Sequence, residues 1–201
     1  MFSRRDLLTS LAGAAMTAWP LAAASQAQDA AVGLVQAFYD SVQSATAQGA
    51  DPKQRAATLG EAVTRTFDLG AMARLAVGPR WSSIPAAKQA ALQEAFRGNF
   101  IATSAARLGS AAGGRFEVLP QTEARAGGKL VRTRVTDSSG RATPVDYLVN
   151  PEGRVVDIYL NGTISEIATR RSEFDAPLKA GGPDALEAYL RKRTEELSKG
   201  R

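Results

Sequence analysis

The 201-residue chain contains no cysteine and no histidine. Without cysteine no disulfide can hold the fold, which must rest on the burial of apolar surface. Without histidine, Ser-His-Asp and Cys-His catalysis lose a required member, and so do the usual zinc sites. No P-loop is present and no dinucleotide fingerprint, because Gly109 to Gly114 lacks the spacing and follows no strand. Neither sign of charge dominates: 25 basic residues stand against 20 acidic ones, and setting aside Arg4, Arg5 and Asp6 leaves a net charge of +4. That excess suits approach to an anionic membrane but is too small and too dispersed to argue for nucleic acid. Beyond residue 27 no run is long and apolar enough to cross a bilayer.

What is present begins with a leader. Met1-Phe2-Ser3-Arg4-Arg5-Asp6-Leu7-Leu8 is basic, and a mildly apolar run rich in Ala and Gly extends to Leu21. Ala22-Ala23-Ala24 or Ser25-Gln26-Ala27 supplies the small residues of a cleavage site. Ser3-Arg4-Arg5 ahead of Leu7-Leu8 also resembles a twin-arginine signal. Residues 1–27 are therefore expected to direct export to the periplasm. An uncleaved anchor is the other reading, but the run is short and its side chains small. Residues 28–201 are long enough for one domain with its own core.

The clearest local signal lies between residues 142 and 174. Two runs rich in Val, Ile and Tyr flank Asn150-Pro151-Glu152-Gly153, where Pro151 presets a turn and Gly153 suits the left-handed position of a G1 bulge. After Asn161-Gly162 the period changes from two to helical. Thr163-Ile164-Ser165-Glu166 reads as a capping box, followed by Ile164, Ile167, Arg171, Phe174 and Leu178 at spacings of three and four.

Upstream the pattern is helical throughout. Val32, Val35, Phe38, Tyr39 and Val42 share a face over 29–48, and Leu59, Val63 and Phe67 over 53–67. A short helix capped by Asp68 runs to Gly78-Pro79, Trp81 sits at a bend, and the longest helix extends from Pro85 to Leu108 with Leu92, Phe96 and Phe100 in one stripe. Strand-like runs follow at 115–123, 130–137, 142–150 and 154–161, separated by hairpin-length turns. In the second, Val131, Thr133 and Val135 alternate with Arg132 and Arg134, so one face is wet. Two helices, 163–180 and 183–198, close the chain. About six helices around a four-stranded antiparallel meander is α+β architecture: a helical part over 29–110, a sheet over 115–161, then C-terminal helices. A sheet covered by helices on its concave side commonly encloses a cavity, here an apolar one.

Asp146 and Asp157 lie on paired strands, and two carboxylates are the minimum for acid–base work. A two-residue loop would set them opposite each other, whereas the G1 bulge opposes Asp157 to Tyr147. With the bulge, a satisfied polar pair is the plainer account, and acid–base catalysis on a cone-shaped α+β fold is the alternative. Arg170-Arg171, with Arg132 and Arg134, could offer guanidinium forks to a phosphate, or could pair with Glu166 and Glu173.

In order along the chain, Phe67-Asp68-Leu69, Met72-Ala73, Leu75-Ala76-Val77-Gly78, Trp81, the Phe96 and Phe100 helix and Val145-Asp146-Tyr147 form a recognisable set. It ends in Val155-Val156-Asp157-Ile158-Tyr159-Leu160-Asn161-Gly162-Thr163-Ile164-Ser165 and Arg170-Arg171-Ser172-Glu173-Phe174. This set resembles the toluene-tolerance/MlaC family of periplasmic lipid-binding proteins, auxiliary components of ABC-type lipid transport systems. The Gly-Thr-Ile-Ser-Glu form is closer to the hopanoid-associated HpnM branch, and Arg154-Val155 stands where the family often has a Trp. The resemblance implies a shuttle without enzymatic activity and without a cofactor. It would carry a phospholipid or hopanoid-type lipid from an inner-membrane transport complex, with an outer-membrane complex as a further partner, touching membranes only peripherally. The candidate tail-binding residues are Phe67, Met72, Leu75, Trp81, Phe96, Phe100, Leu108, Val145, Tyr147, Ile158, Ile164 and Phe174, with Arg170 and Arg171 for the head group. A docking adaptor with a filled core is the third reading, and cavity volume separates it from a carrier.

Overall fold

The computed structural model describes residues 29–47, 52–110 and 113–199, and of residues 46, 47, 52 and 108–110 the backbone alone. The expected leader lies outside the described residues. Helix α1 (Ala30–Ala47) buries Val32, Val35, Phe38, Tyr39 and Val42, the face its spacing predicts. Helix α2 (Pro52–Thr66) opens on a proline, whose missing N–H costs nothing in a first turn, and buries Leu59 and Val63. Asp68 caps α3 (Leu69–Val77) by accepting from the Ala71 amide at 2.8 Å. A 3-10 turn (Gly78–Ser83) carries the buried Trp81 into α4 (Ala86–Ser110), which presents Leu92, Phe96 and Phe100 to the core.

Strands β1 (Arg115–Arg125), β2 (Gly128–Thr136), β3 (Ala142–Val149) and β4 (Val155–Leu160) form the expected antiparallel meander. A fifth, β5 (Ile164–Ser165), extends it. Its cause is local. Asn161 and Gly162 both take positive φ, 53° and 74°, and the chain doubles back along β4 before any helix begins. The cap expected at Thr163 therefore moves two residues on to Ser165, which accepts from the Ala168 amide at 3.0 Å, and α5 (Glu166–Ser198) follows it. The two expected C-terminal helices are the arms of α5, which kinks at Gly181 and Gly182.

Turn chemistry sets the register. Gly153 takes φ 73°, and the pair Asn150 and Arg154 closes a three-residue loop, as a G1 bulge requires. A second irregularity at Val156 shifts the pairing again, so Asp157 faces Leu148 rather than Tyr147, and Asp146 faces Tyr159. Gly128 is fixed by contact: a Cβ there would lie 1.9 Å from the Val149 carbonyl oxygen. Arg154 donates to the carbonyls of Thr64 and Phe67 at the end of α2. Beside it the Asp68 amide donates to the Val155 carbonyl at 2.9 Å, which seals the helical half against the sheet. Between the layers the core is continuous.

Candidate functional site

Between the sheet and the helices lies a cavity of about 270 Å³. Its inner end is aromatic: Phe38 and Tyr39 from α1, Phe67 from the end of α2, and Tyr147 from β3. Its sheet wall is Val135, Thr143, Val145, Ile158 and Leu160, the inward positions of β2, β3 and β4. Ser104 and Arg107 of α4 stand at the mouth opposite Asp137 and Arg141 of the β2–β3 turn, and the Arg141 side chain is 81% exposed. A volume of 270 Å³ falls just short of the ~300–1,000 Å³ usual for small-molecule pockets.

The inner rings meet one another. Phe38 and Phe67 pack edge to face at 5.2 Å between centroids, Phe38 and Tyr147 at 6.2 Å, and Phe67 lies 5.1 Å from Phe100 behind it. The tyrosine hydroxyls stay neutral. Burial pushes Tyr39 up to about 12 and carries Tyr147 well above its ordinary value. The Tyr39 hydroxyl bonds the Thr133 hydroxyl at 2.6 Å, and Thr133 in turn donates to the Val145 carbonyl. The wall is thus hydrocarbon, with its few polar atoms satisfied inside the protein.

Of the twelve residues expected to meet lipid tails, Phe67, Val145, Tyr147 and Ile158 line this cavity. Met72, Trp81, Phe96, Phe100 and Phe174 are buried in the core away from it. Leu75 and Ile164 point outward, 43% and 51% exposed, because β5 turns Ile164 away from the helix stripe that was expected to hold it. The Leu108 side chain lies outside the described residues.

The expected head-group arginines stand elsewhere. Arg170 is buried, its guanidinium 5.3 Å from the Phe96 ring centroid and 5.6 Å from that of Phe100. It donates to Glu166 at 2.9 Å and to the Asn99 side-chain oxygen at 3.0 Å. Burial pushes the Glu166 carboxyl up, but Arg170 and Arg107 together outweigh it and hold that carboxyl below its ordinary value. Arg107 donates to the second oxygen of Glu166 at 3.0 Å. Arg171 grips the Leu75 carbonyl at 2.6 Å and so ties α5 to α3.

Asp157 accepts from the Ser165 hydroxyl at 2.6 Å and from the amides of Ile158 and Ile167 at 2.8 and 3.1 Å. Asp146 accepts from the Thr133 amide at 3.1 Å in the β2–β3 ladder. Both carboxylates hold backbone and turn, and neither lines the cavity. No group of residues suited to a metal ion occurs among the described residues. Sequence reading missed Arg107, Arg141, Phe38 and Tyr39 as site residues. The two α1 rings were visible in that helix's stripe, but only the fold sets them against β3.

A solved structure of a phospholipid-binding protein from Ralstonia solanacearum, in complex with a phospholipid, is similar with a TM-score of 0.71 and 24% identity, over 84% of this chain and 98% of that one. That likeness is one of fold. No curated protein matches the sequence. The family model described as MlaC protein matches residues 33–192, from the first turn of α1 into the second arm of α5, and the chain belongs to the MlaC family.

Proposed function

We infer that this protein is a lipid carrier, not an enzyme, which holds hydrocarbon in the cavity between sheet and helices and leaves the polar end of the lipid at the mouth. The observation that carries the reading is the shape of that cavity: aromatic and aliphatic walls closed at one end, charged residues at the other. Family membership supports it, as does the similar Ralstonia solanacearum protein, a phospholipid-binding one. The finer reading is a periplasmic shuttle for a phospholipid or hopanoid-type lipid, exchanging cargo with an inner-membrane ABC-type transport complex. The leader supports the compartment, since residues 1–27 carry a basic start and a small-residue cleavage site.

The volume favours one rival. A space of 270 Å³ cannot take two acyl chains at rest, which suits an adaptor with a nearly filled core. A carrier needs the walls to part, and transfer of hydrocarbon from water returns about 0.8 kcal/mol per buried methylene. Native mass spectrometry after gentle purification decides between them. The carrier reading expects a co-purifying lipid mass, or uptake from added vesicles of phospholipid or hopanoid. A clean empty mass under both conditions would leave the adaptor.

A further inference from the structure

A second cavity, of about 220 Å³, lies between α4 and the two arms of α5 and shares only Arg107 with the sheet-side cavity. Arg170 lines it and is 4% exposed. Two of its three guanidinium nitrogens are committed, Nε to Glu166 at 2.9 Å and Nη1 to the Asn99 side-chain oxygen at 3.0 Å. The third, Nη2, has no acceptor among the described residues. The one partnerless side-chain atom sealed from solvent among those residues is Arg154 Nε, so Nη2 reaches open space, and for a side chain this buried that space is the cavity. The two bonds and the rings of Phe96 and Phe100 fix the plane of the fork and hence the direction of the free donor. The half-buried Thr103 and Tyr189 also line the cavity, and neither hydroxyl has a partner among the described residues.

Charge narrows what can sit there. Arg170, Glu166 and Arg107 are bonded into one group of two cations and one carboxylate, a net charge of +1 at the inner end. Arg193 is paired with Glu196 at 2.8 Å and adds nothing. Glu173 adds a carboxylate at the rim, but it is exposed and therefore screened by solvent and salt. The inner end thus balances a monoanion and leaves a dianion overcharged. Holding a buried guanidinium with one donor unused is costly for stability alone, since an apolar replacement often does as well. An acceptor supplied from outside the chain completes it. The remaining wall is apolar, from Ala106, Phe174, Leu197 and the Tyr189 ring. Size sets the last limit: a cavity of about 150 Å³ takes benzene, so one of 220 Å³ takes a ring with a carboxylate attached.

We propose that this cavity is a binding site for a small organic monocarboxylate with a ring-sized apolar body, its carboxylate held by Arg170 Nη2 and the hydroxyls of Thr103 and Tyr189. The site stands apart from the carrier reading and does not rest on it. Tyr189 and Leu197 lie on the second arm of α5, beyond the kink at Gly181 and Gly182, so a bound acid also ties that arm to α4.

The test titrates sodium benzoate into the purified protein at constant ionic strength and follows it by nuclear magnetic resonance. Benzyl alcohol is the neutral counterpart, and inorganic phosphate is the anion without an apolar body. The expected result is saturable benzoate binding with a Kd of about 1 mM or tighter, at least about tenfold weaker binding of benzyl alcohol, and no saturation by phosphate. Benzoate should move the Arg170 Nε–H signal and the amides of Thr103, Ala106 and Tyr189, and slow hydrogen exchange in the second arm of α5. Arg170→Gln would strand buried Glu166 and is set aside for variants that spare the ion pair. Ala106→Leu fills the cavity from a half-buried position and should weaken benzoate at least about tenfold, and Thr103→Val and Tyr189→Phe about threefold to tenfold each. Tyr39→Phe, in the sheet-side cavity, should leave the affinity unchanged. Absence of saturable benzoate binding, equal affinity for benzyl alcohol, or an affinity untouched by Ala106→Leu overturns the site. Signals that move at Phe38 and Tyr147 instead would put benzoate in the sheet-side cavity and overturn it equally.

Discussion

Asp157 is the residue whose replacement separates fold from function most cleanly. Its carboxylate accepts three hydrogen bonds, from Ser165, Ile158 and Ile167, and so joins β4 to the first turn of α5. Asp157→Ala removes both acceptor oxygens and all three bonds. A net loss of about 1 kcal/mol per bond gives about 3 kcal/mol, and the Ile167 amide is buried, where an unmet donor costs about 1–3 kcal/mol by itself. Loss of the negative charge at the α5 N-terminus adds about 0.3–1 kcal/mol. A total near 3–4 kcal/mol, with a urea slope of about 2 kcal/mol/M, moves the unfolding midpoint down by about 1.5–2 M. Asp157→Asn keeps one carbonyl oxygen and the shape, and should cost roughly half as much, about 1–2 kcal/mol. Equilibrium urea unfolding followed by far-UV circular dichroism reads both. Lipid uptake from vesicles, measured on the folded Asn variant, should match the parent. A midpoint shift under about 0.3 M for the Ala variant would refute the capping role. Loss of function in a folded Asn variant would revive the acid–base enzyme.

The other predictions follow from single contacts. Glu166→Gln should flatten the acid side of the stability curve. The folded carboxyl titrates below its unfolded value of 4.5, so its contribution is complete above that pH and drains away as pH falls through the folded pKa; thermal melts of parent and variant should therefore converge on acidification, and a constant gap from neutral pH downward would contradict it. Gly128→Ala should disrupt the start of the β2–β3 pairing, because its Cβ would sit 1.9 Å from the Val149 oxygen of β3; a soluble, normally melting variant would show that the backbone there can move. Tyr147→Lys places a charge on the cavity wall and should abolish lipid retention in whatever fraction folds, so retained lipid by native mass spectrometry would mean that Tyr147 does not meet the tails.

Much of the architecture was legible because it rests on short-range rules. The α1 stripe, the Asp68 cap, the Gly153 turn and the four-strand meander all follow from spacing or turn chemistry. Where reading failed, a second signal overrode the first. Thr163-Ile164-Ser165-Glu166 fits a capping box, but positive φ at Asn161 and Gly162 folds Ile164 onto β4, and Ser165 takes the cap instead. The bulge at Val156 has no glycine to announce it, so Asp157 was expected one register position away. The site was legible only in part, since buried Phe100 and cavity-lining Phe67 carry the same pattern in the sequence. Arg170 was singled out for its charge, and the structure buries that charge beneath two rings.

The small cavity is itself an argument about motion. Four ring contacts that join different elements among Phe38, Tyr39, Phe67 and Tyr147 lie between 5.2 and 6.2 Å, and at about 0.5–1.5 kcal/mol each they resist opening by roughly 2–6 kcal/mol. The Tyr39–Thr133 hydrogen bond, which joins α1 to β2 across the cavity, adds about 1 kcal/mol. Ten methylenes drawn in from water return about 8 kcal/mol, enough to offset both. In the empty protein these inner walls should therefore stay together, and in the loaded protein they should stand apart. Tyr39→Phe weakens the latch without altering the apolar wall, so it should speed lipid uptake from vesicles by up to about fivefold, the factor that 1 kcal/mol allows. Hydrogen exchange should place the difference between empty and loaded protein in α1 and β2. Equal uptake rates for parent and Tyr39→Phe, together with identical exchange in the two states, would mean that hydrocarbon enters elsewhere.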